Sequence, residues 1–196
     1  LPRKPEWIAE ADRIIEGWPT AGKPIMIYRP LCVRPEWIGS QVRNANVGQY
    51  REITDMLHEK YFIVSIADLE PGKEWIDGPV YPADLTFDRG EFVIEILASL
   101  MHRSDLVFTS GGFAAMLGPA VETPTISILG GYEPKEWCGD GAKFSPYLAI
   151  DPIKPCRCGS SGCKKQCDKA LDMPAARAAI TAFTSMTEGR TNVESP

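Results

Sequence analysis

A chain of 196 residues, 44% hydrophobic and 24% charged, is long enough for one well-buried core and has the composition of a globular domain rather than a disordered or fibrous one. Its formal net charge of -5 argues against nucleic acid as a partner, because counterion release needs a basic face. No run is apolar for long enough to cross a bilayer and no basic-then-apolar leader opens the chain, so the six cysteines read as reduced thiols in a cytosolic protein.

The first residue is Leu rather than Met, which reads as a fragment or a processed product. Glu6 to Glu16 carries Trp7, Ile8, Ala11, Ile14 and Ile15 at helical spacing, and Gly17, Pro19 and Gly22 end that helix. Residues 1–22 therefore read as a linker helix, followed by one domain over 23–186. Pro24 to Tyr28 is the first buried strand. The segment Arg29 to Asn46 is irregular and follows a strand end, where ligand-binding loops of open α/β sheets lie. Arg29, Arg34 and Arg43 all fall in it. Each alone reads more often as a solvated surface charge than as a ligand contact; three in one strand-end loop of an acidic protein shift that balance towards an anion site. Val47 to Glu59 is helical, burying Val47, Tyr50, Ile53 and Leu57. Tyr61 to Ala67 is the second strand, and Asp68 to Pro82 another strand-end loop, holding Glu70, Lys73, Glu74 and Trp75. Ala83 to Phe87 is a third strand. Glu91 to His102 is a helix with Phe92, Val93, Ile96, Leu97 and Leu100 on one face.

Leu106 to Phe108 has no polar alternation, the mark of a strand buried on both faces. Thr109, Ser110, Gly111 and Gly112 break the run, Phe113 to Val121 is a short helix, and Thr125 to Leu129 a β-branched strand. In this βαβ unit the glycine turn lies where a strand end meets a helix amino terminus, a place attractive to anions; a plain connecting turn is the alternative. Tyr147 to Ile150 is a sixth strand. A last helix begins at Pro174 and buries Ala176, Ile180 and Phe183, ahead of a tail over 187–196. Strands alternating with helices predict an α/β fold, a parallel sheet with helices on both faces.

GxGxxG, the P-loop, HExxH and GxSxG are all absent from the sequence. His58 and His102 sit at helix ends, where a His interacts well with the last carbonyls. No residue type alone names a general acid or base, and no cofactor for catalysis is called for. Cys156, Cys158, Cys163 and Cys167 crowd into one Cys-rich loop over 155–168 with spacing C-x-C-x4-C-x3-C. Four thiolates could close around a structural zinc; free thiols and disulfides compete with that reading.

With Asp105 to Gly131 and the cysteine loop in view, the sequence resembles the C-terminal half of bacterial heptosyltransferases, glycosyltransferase family 9. The resemblance rests on Asp105-Leu-Val-Phe, Ser110-Gly-Gly, Glu122-Thr-Pro-Thr and Ile128-Leu-Gly in order and spacing, with Pro155-Cys156-Arg-Cys158 echoing a family cluster. It departs from the family at Gly111, where an Asp is usual, and at Met116, where a His is usual, so heptose and ADP do not follow from it.

The resemblance implies one Rossmann-like half of a GT-B fold, the half that binds a nucleoside-diphosphate sugar for metal-independent transfer to a hydroxyl of a glycan or glycolipid. An N-terminal domain, in cis or in trans, would hold the acceptor and the catalytic carboxylate. Thr109, Ser110, Gly111 and Gly112 would receive the diphosphate, Arg29, Arg34 and Arg43 would neutralise it, Glu70 or Glu74 would hold the ribose, and Leu85 to Phe87, Thr86 among them, would lie against the base. The implied location is the cytoplasm, at or near the inner membrane. A non-catalytic nucleotide-binding or interaction module with a zinc-stapled loop is the rival reading; half of a nucleotide-sugar epimerase is a third.

Overall fold

The computed structural model describes residues 4–35, 43–136, 143–157 and 168–188. Its centre is a six-stranded parallel sheet made from the apolar runs: β1 (Ile25–Tyr28), β3 (Phe62–Ile66), β5 (Leu85–Phe87), β6 (Leu106–Thr109), β7 (Thr125–Ile128) and β8 (Tyr147–Ile150). The order is β5-β3-β1-β6-β7-β8. The chain therefore works outward from β1 on one side, then returns to pair β6 with the other side of β1. That reversal opens a crevice beyond the carboxyl ends of β1 and β6, the place where open α/β sheets bind ligands. Two short strands, β2 (Cys32–Val33) and β4 (Trp75–Ile76), pair antiparallel outside the main sheet.

Both sheet faces are covered, as continuous apolar strands require. Met26, Tyr28, Ile63 and Phe108 project into a core closed by α2 (Val47–His58) and α5 (Met173–Thr187), through Tyr50, Ile53, Leu57, Ile180 and Phe183. Ile25, Ile27, Val64 and Val107 project into a second core under α3 (Ile94–Arg103) and α4 (Phe113–Ala120), through Ala98, Met101, Ala114 and Leu117. The first helix, α1 (Pro5–Glu16), packs on α3, burying Ala11 fully and pairing Asp12 with Arg103. Among the described residues, no helix is long and apolar enough to cross a membrane.

The expected elements are all present, and their boundaries differ for local reasons. The third helix starts at Ile94 rather than Glu91, because Val93 is extended and the Phe92 ring instead packs on Phe87, centroids 4.7 Å apart. The last helix starts at Met173, with the Asp172 carboxylate accepting from the Ala175 N–H as its cap, so Pro174 is the second helical residue rather than the first. The third strand shortens to Leu85–Phe87. The segments after β1 and β3, read as irregular loops, are joined by β2 and β4. Asn44 reinforces the junction, donating to the Cys32 carbonyl at 3.2 Å and the Asp77 carboxylate at 3.0 Å. Nor does His58 bind the last carbonyls of its helix: its ring contacts the Tyr81 hydroxyl at 3.1 Å and Asp84 at 3.0 Å. His102 meets the Val121 carbonyl at 2.9 Å.

Candidate functional site

The crevice at the sheet reversal is a cleft of about 500 Å³. One wall is the segment after β1: Arg29, Pro30, Cys32 and Arg34. Arg29 continues the sheet, its N–H donating to the Phe108 carbonyl at 2.9 Å, while its own carbonyl accepts from the Tyr50 hydroxyl at 2.8 Å. Its guanidinium is aimed by two partners, the Ile66 carbonyl at 2.9 Å and the Glu74 carboxylate. The Arg34 guanidinium lies 3.9 Å from the same carboxylate. Glu74 is buried, and among the described residues its second oxygen has no hydrogen-bond partner. A buried, half-satisfied carboxylate on a cleft wall is a feature that folding alone does not favour. Beside it lies Cys32, whose thiol burial pushes up to about 12, with Glu74 adding to the rise. At neutral pH that thiol stays protonated and is no nucleophile.

The floor is the turn after β6. Thr109 and Ser110 are buried, and the Ser110 carbonyl accepts from the Ser127 hydroxyl at 3.0 Å. The Ser110 hydroxyl donates to the Arg43 carbonyl at 3.3 Å, which ties the turn to the opposite wall. Gly112 has φ +119 and caps α4 without any side-chain hydrogen bond. This conformation suits glycine and leaves the first N–H groups of α4 pointing outward. Among the described residues, no group accepts from the N–H of Gly111, Gly112 or Phe113. Phe113 and Met116, both 55% exposed, form the apolar lip.

Arg43 and Glu133 complete the cleft. Their side chains are ion-paired, and the Glu133 carboxylate sits over Gly111, in the space that a Cβ there would need. Glu133 follows the β7 strand end and is held from behind by Arg157, which donates to its carbonyl and pairs with Asp151 at 2.7 Å.

The fold thus brings Arg29, Arg34, Arg43, Glu74, Thr109, Ser110, Gly111 and Gly112 into one cleft. Glu70 and Thr86 do not line it: Glu70 is exposed and paired with Lys73, and Thr86 is exposed on the edge strand. Leu85 and Phe87 pack against the second core, Phe87 facing Trp18. Cys32, Asn44 and Glu133 were not singled out from sequence. Glu133 carried one usable signal, its place just beyond a strand end on the side of the glycine turn. Cys156 reaches the Gly131 carbonyl at 3.4 Å, while Cys158, Cys163 and Cys167 lie outside the described residues.

No protein-family profile matches the sequence, and no curated protein matches it either. Solved structures do. A glycosyltransferase family 9 protein from Veillonella parvula DSM 2008 superposes with a TM-score of 0.62 at 13% identity, over 95% of this chain and 53% of that one. ADP-heptose LPS heptosyltransferase II of E. coli superposes with a TM-score of 0.56 at 10% identity, over 96% of this chain and 54% of that one. At these identities the likeness is one of fold. The chain has the α/β, Rossmann-like fold of family 9 glycosyltransferases and spans about half the length of both structures.

Proposed function

We propose that the cleft binds a nucleoside-diphosphate sugar and that the chain is the donor-binding part of a glycosyltransferase. The observation that carries this reading is the convergence of three arginines from the first strand-end segment on an open helix amino terminus at the sheet reversal. Backbone N–H groups at Gly111, Gly112 and Phe113 would hold a phosphate, reinforced by the α4 dipole. The guanidinium groups of Arg29, Arg34 and Arg43 would stabilise the charge that grows on the leaving diphosphate as the glycosidic bond breaks, an electrostatic role that needs no metal. Glu74, with one carboxylate oxygen unpaired among the described residues, is the better placed of the two glutamates to accept from a ribose or sugar hydroxyl.

The acceptor, a glycan or glycolipid hydroxyl, and the catalytic carboxylate would come from a second domain, so this chain alone would bind donor without transferring it. Calorimetry with ADP, UDP and GDP and the matching monophosphates tests the reading. At least one diphosphate should bind, and more tightly than its monophosphate. No measurable binding of any of the six would overturn it. A module with no nucleotide site would give that blank result.

A further inference from the structure

A carboxylate on the floor of an anion site needs a reason. Glu133 is buried, its Oε1 is held by Arg43, and its Oε2 sits against Gly111. The space it fills is open only because residue 111 is glycine. Gly111 is not among the glycines with positive φ, so the backbone there would accept any residue. What an added Cβ would meet is the Glu133 carboxylate, and behind it Leu129 at 3.8 Å. The glycine therefore serves the carboxylate, not the turn. The arginines of the cleft are also already matched: Arg29 and Arg34 face Glu74, and Arg43 faces Glu133. Three cations against two carboxylates leave about one net positive charge, little for a ligand carrying a full complement of phosphate charge.

We propose that Glu133 is a specificity residue that makes the glycine-turn site prefer a sugar-capped diphosphate to the free diphosphate. The inference rests on the donor-binding reading given above. The terminal phosphate of a free nucleoside diphosphate loses its second proton near pH 6, so at pH 7 it carries roughly one more negative charge than the same phosphate esterified to a sugar. Seated on the Gly111–Phe113 N–H groups, that extra charge lies against the Glu133 carboxylate, and like charges a few ångströms apart repel strongly where water is partly excluded. Esterification removes the charge and puts sugar hydroxyls in its place, which can donate to the Glu133 carboxylate. The same carboxylate would then retain the donor and speed loss of the spent diphosphate.

The test is calorimetry on the wild-type chain, Glu133→Gln and Gly111→Ala, with the pairs ADP and ADP-glucose, UDP and UDP-glucose, GDP and GDP-mannose. The quantity read is the ratio of the two dissociation constants within a pair. For any pair that binds, wild type should favour the sugar nucleotide. Glu133→Gln should shift the ratio toward the free diphosphate by about tenfold, the scale of one screened charge pair. Gly111→Ala keeps the glutamate but puts a methyl group where its carboxylate lies, and should shift the ratio the same way. It carries the test if the Gln variant melts early. A ratio unchanged in a folded variant, or a wild type that favours free diphosphate, overturns the proposal while leaving the donor site standing. Failure of all six ligands to bind wild type removes the donor site, and this proposal with it.

Discussion

Arg43 pairs with Glu133 through its guanidinium and accepts from Ser110 through its carbonyl, so one residue joins both walls of the cleft to its floor. Replacing it with alanine deletes the cation and keeps the backbone bond, which separates charge from loop position. Arg43→Ala should weaken nucleoside-diphosphate binding by about 1.5–3 kcal/mol, the worth of a hydrogen bond to a charged group. It should narrow the gap between diphosphate and monophosphate, and calorimetry with both reads the two effects. Equal affinities in the variant and wild type would put the phosphates elsewhere. At this scale the sequence exposed what strand ends expose: the three arginines, the serine and the glycines. It could not expose Glu133, whose role depends on the absence of a side chain 22 residues earlier in a neighbouring loop. Nor could it choose between Glu70 and Glu74, because the difference is that Arg29 and Arg34 close on Glu74 while Glu70 is left to Lys73 at the surface.

The helix α4 is short, contains Pro119 and lies close against the sheet, and Gly118 is the reason it can. A Cβ at Gly118 would collide with the Thr125 hydroxyl oxygen and come within 3.2 Å of Val107 Cβ and Cγ2. Both neighbours are β-branched side chains anchored in adjacent strands, and the Thr125 hydroxyl is committed to the Thr123 carbonyl at 2.9 Å. Alanine in place of a mid-helix glycine ordinarily gains roughly 0.5–1 kcal/mol. Here overpacking of about 1–3 kcal/mol should outweigh that. Gly118→Ala should therefore lower the melting temperature and shift the helix terminus that presents the N–H groups proposed to hold phosphate, weakening nucleotide binding as well. A variant as stable as wild type would mean that helix and sheet part easily at this point. Elements this regular were legible because buried strands and amphipathic helices each impose a period on the sequence. The pairing of β2 with β4 was not, since two-residue strands have no period and their partners lie about forty residues apart. The true start of α3 was hidden for a related reason: Phe92 continues the helical pattern, yet its ring is taken by Phe87 across the loop.

At the scale of the whole molecule, the cleft stands on the first core, and that core is rich in groups that must keep their protons. Tyr28, Tyr50 and Phe108 stack beneath the carboxyl ends of β1 and β6, and Tyr81 packs on Tyr28. Burial holds the Tyr28 and Tyr50 hydroxyls well above the usual phenol range and pushes Tyr61 up to about 12, as it does the Cys32 thiol. In an unfolded chain a cysteine ionises near pH 8.5 and a tyrosine near 10, so at alkaline pH the native state binds more protons than the unfolded one. Stability must then fall as pH rises. The contribution of these groups is fully present below about pH 8.5 and is lost progressively toward their folded values. The melting temperature should accordingly show no decline from these groups between about pH 7 and 8, begin to drop near pH 9 as Cys32 enters, and drop more steeply past pH 10 when the tyrosines follow. Cys32→Ala should remove the early part of the decline and leave the later part. Because the Tyr50 hydroxyl donates to the Arg29 carbonyl, nucleotide affinity should fail over the same range as the melting temperature. Scanning calorimetry and nucleotide titration on one pH series compare them directly. A melting temperature level to pH 11 would show that these hydroxyls ionise without opening the core, and would separate the cleft from the aromatic stack beneath it.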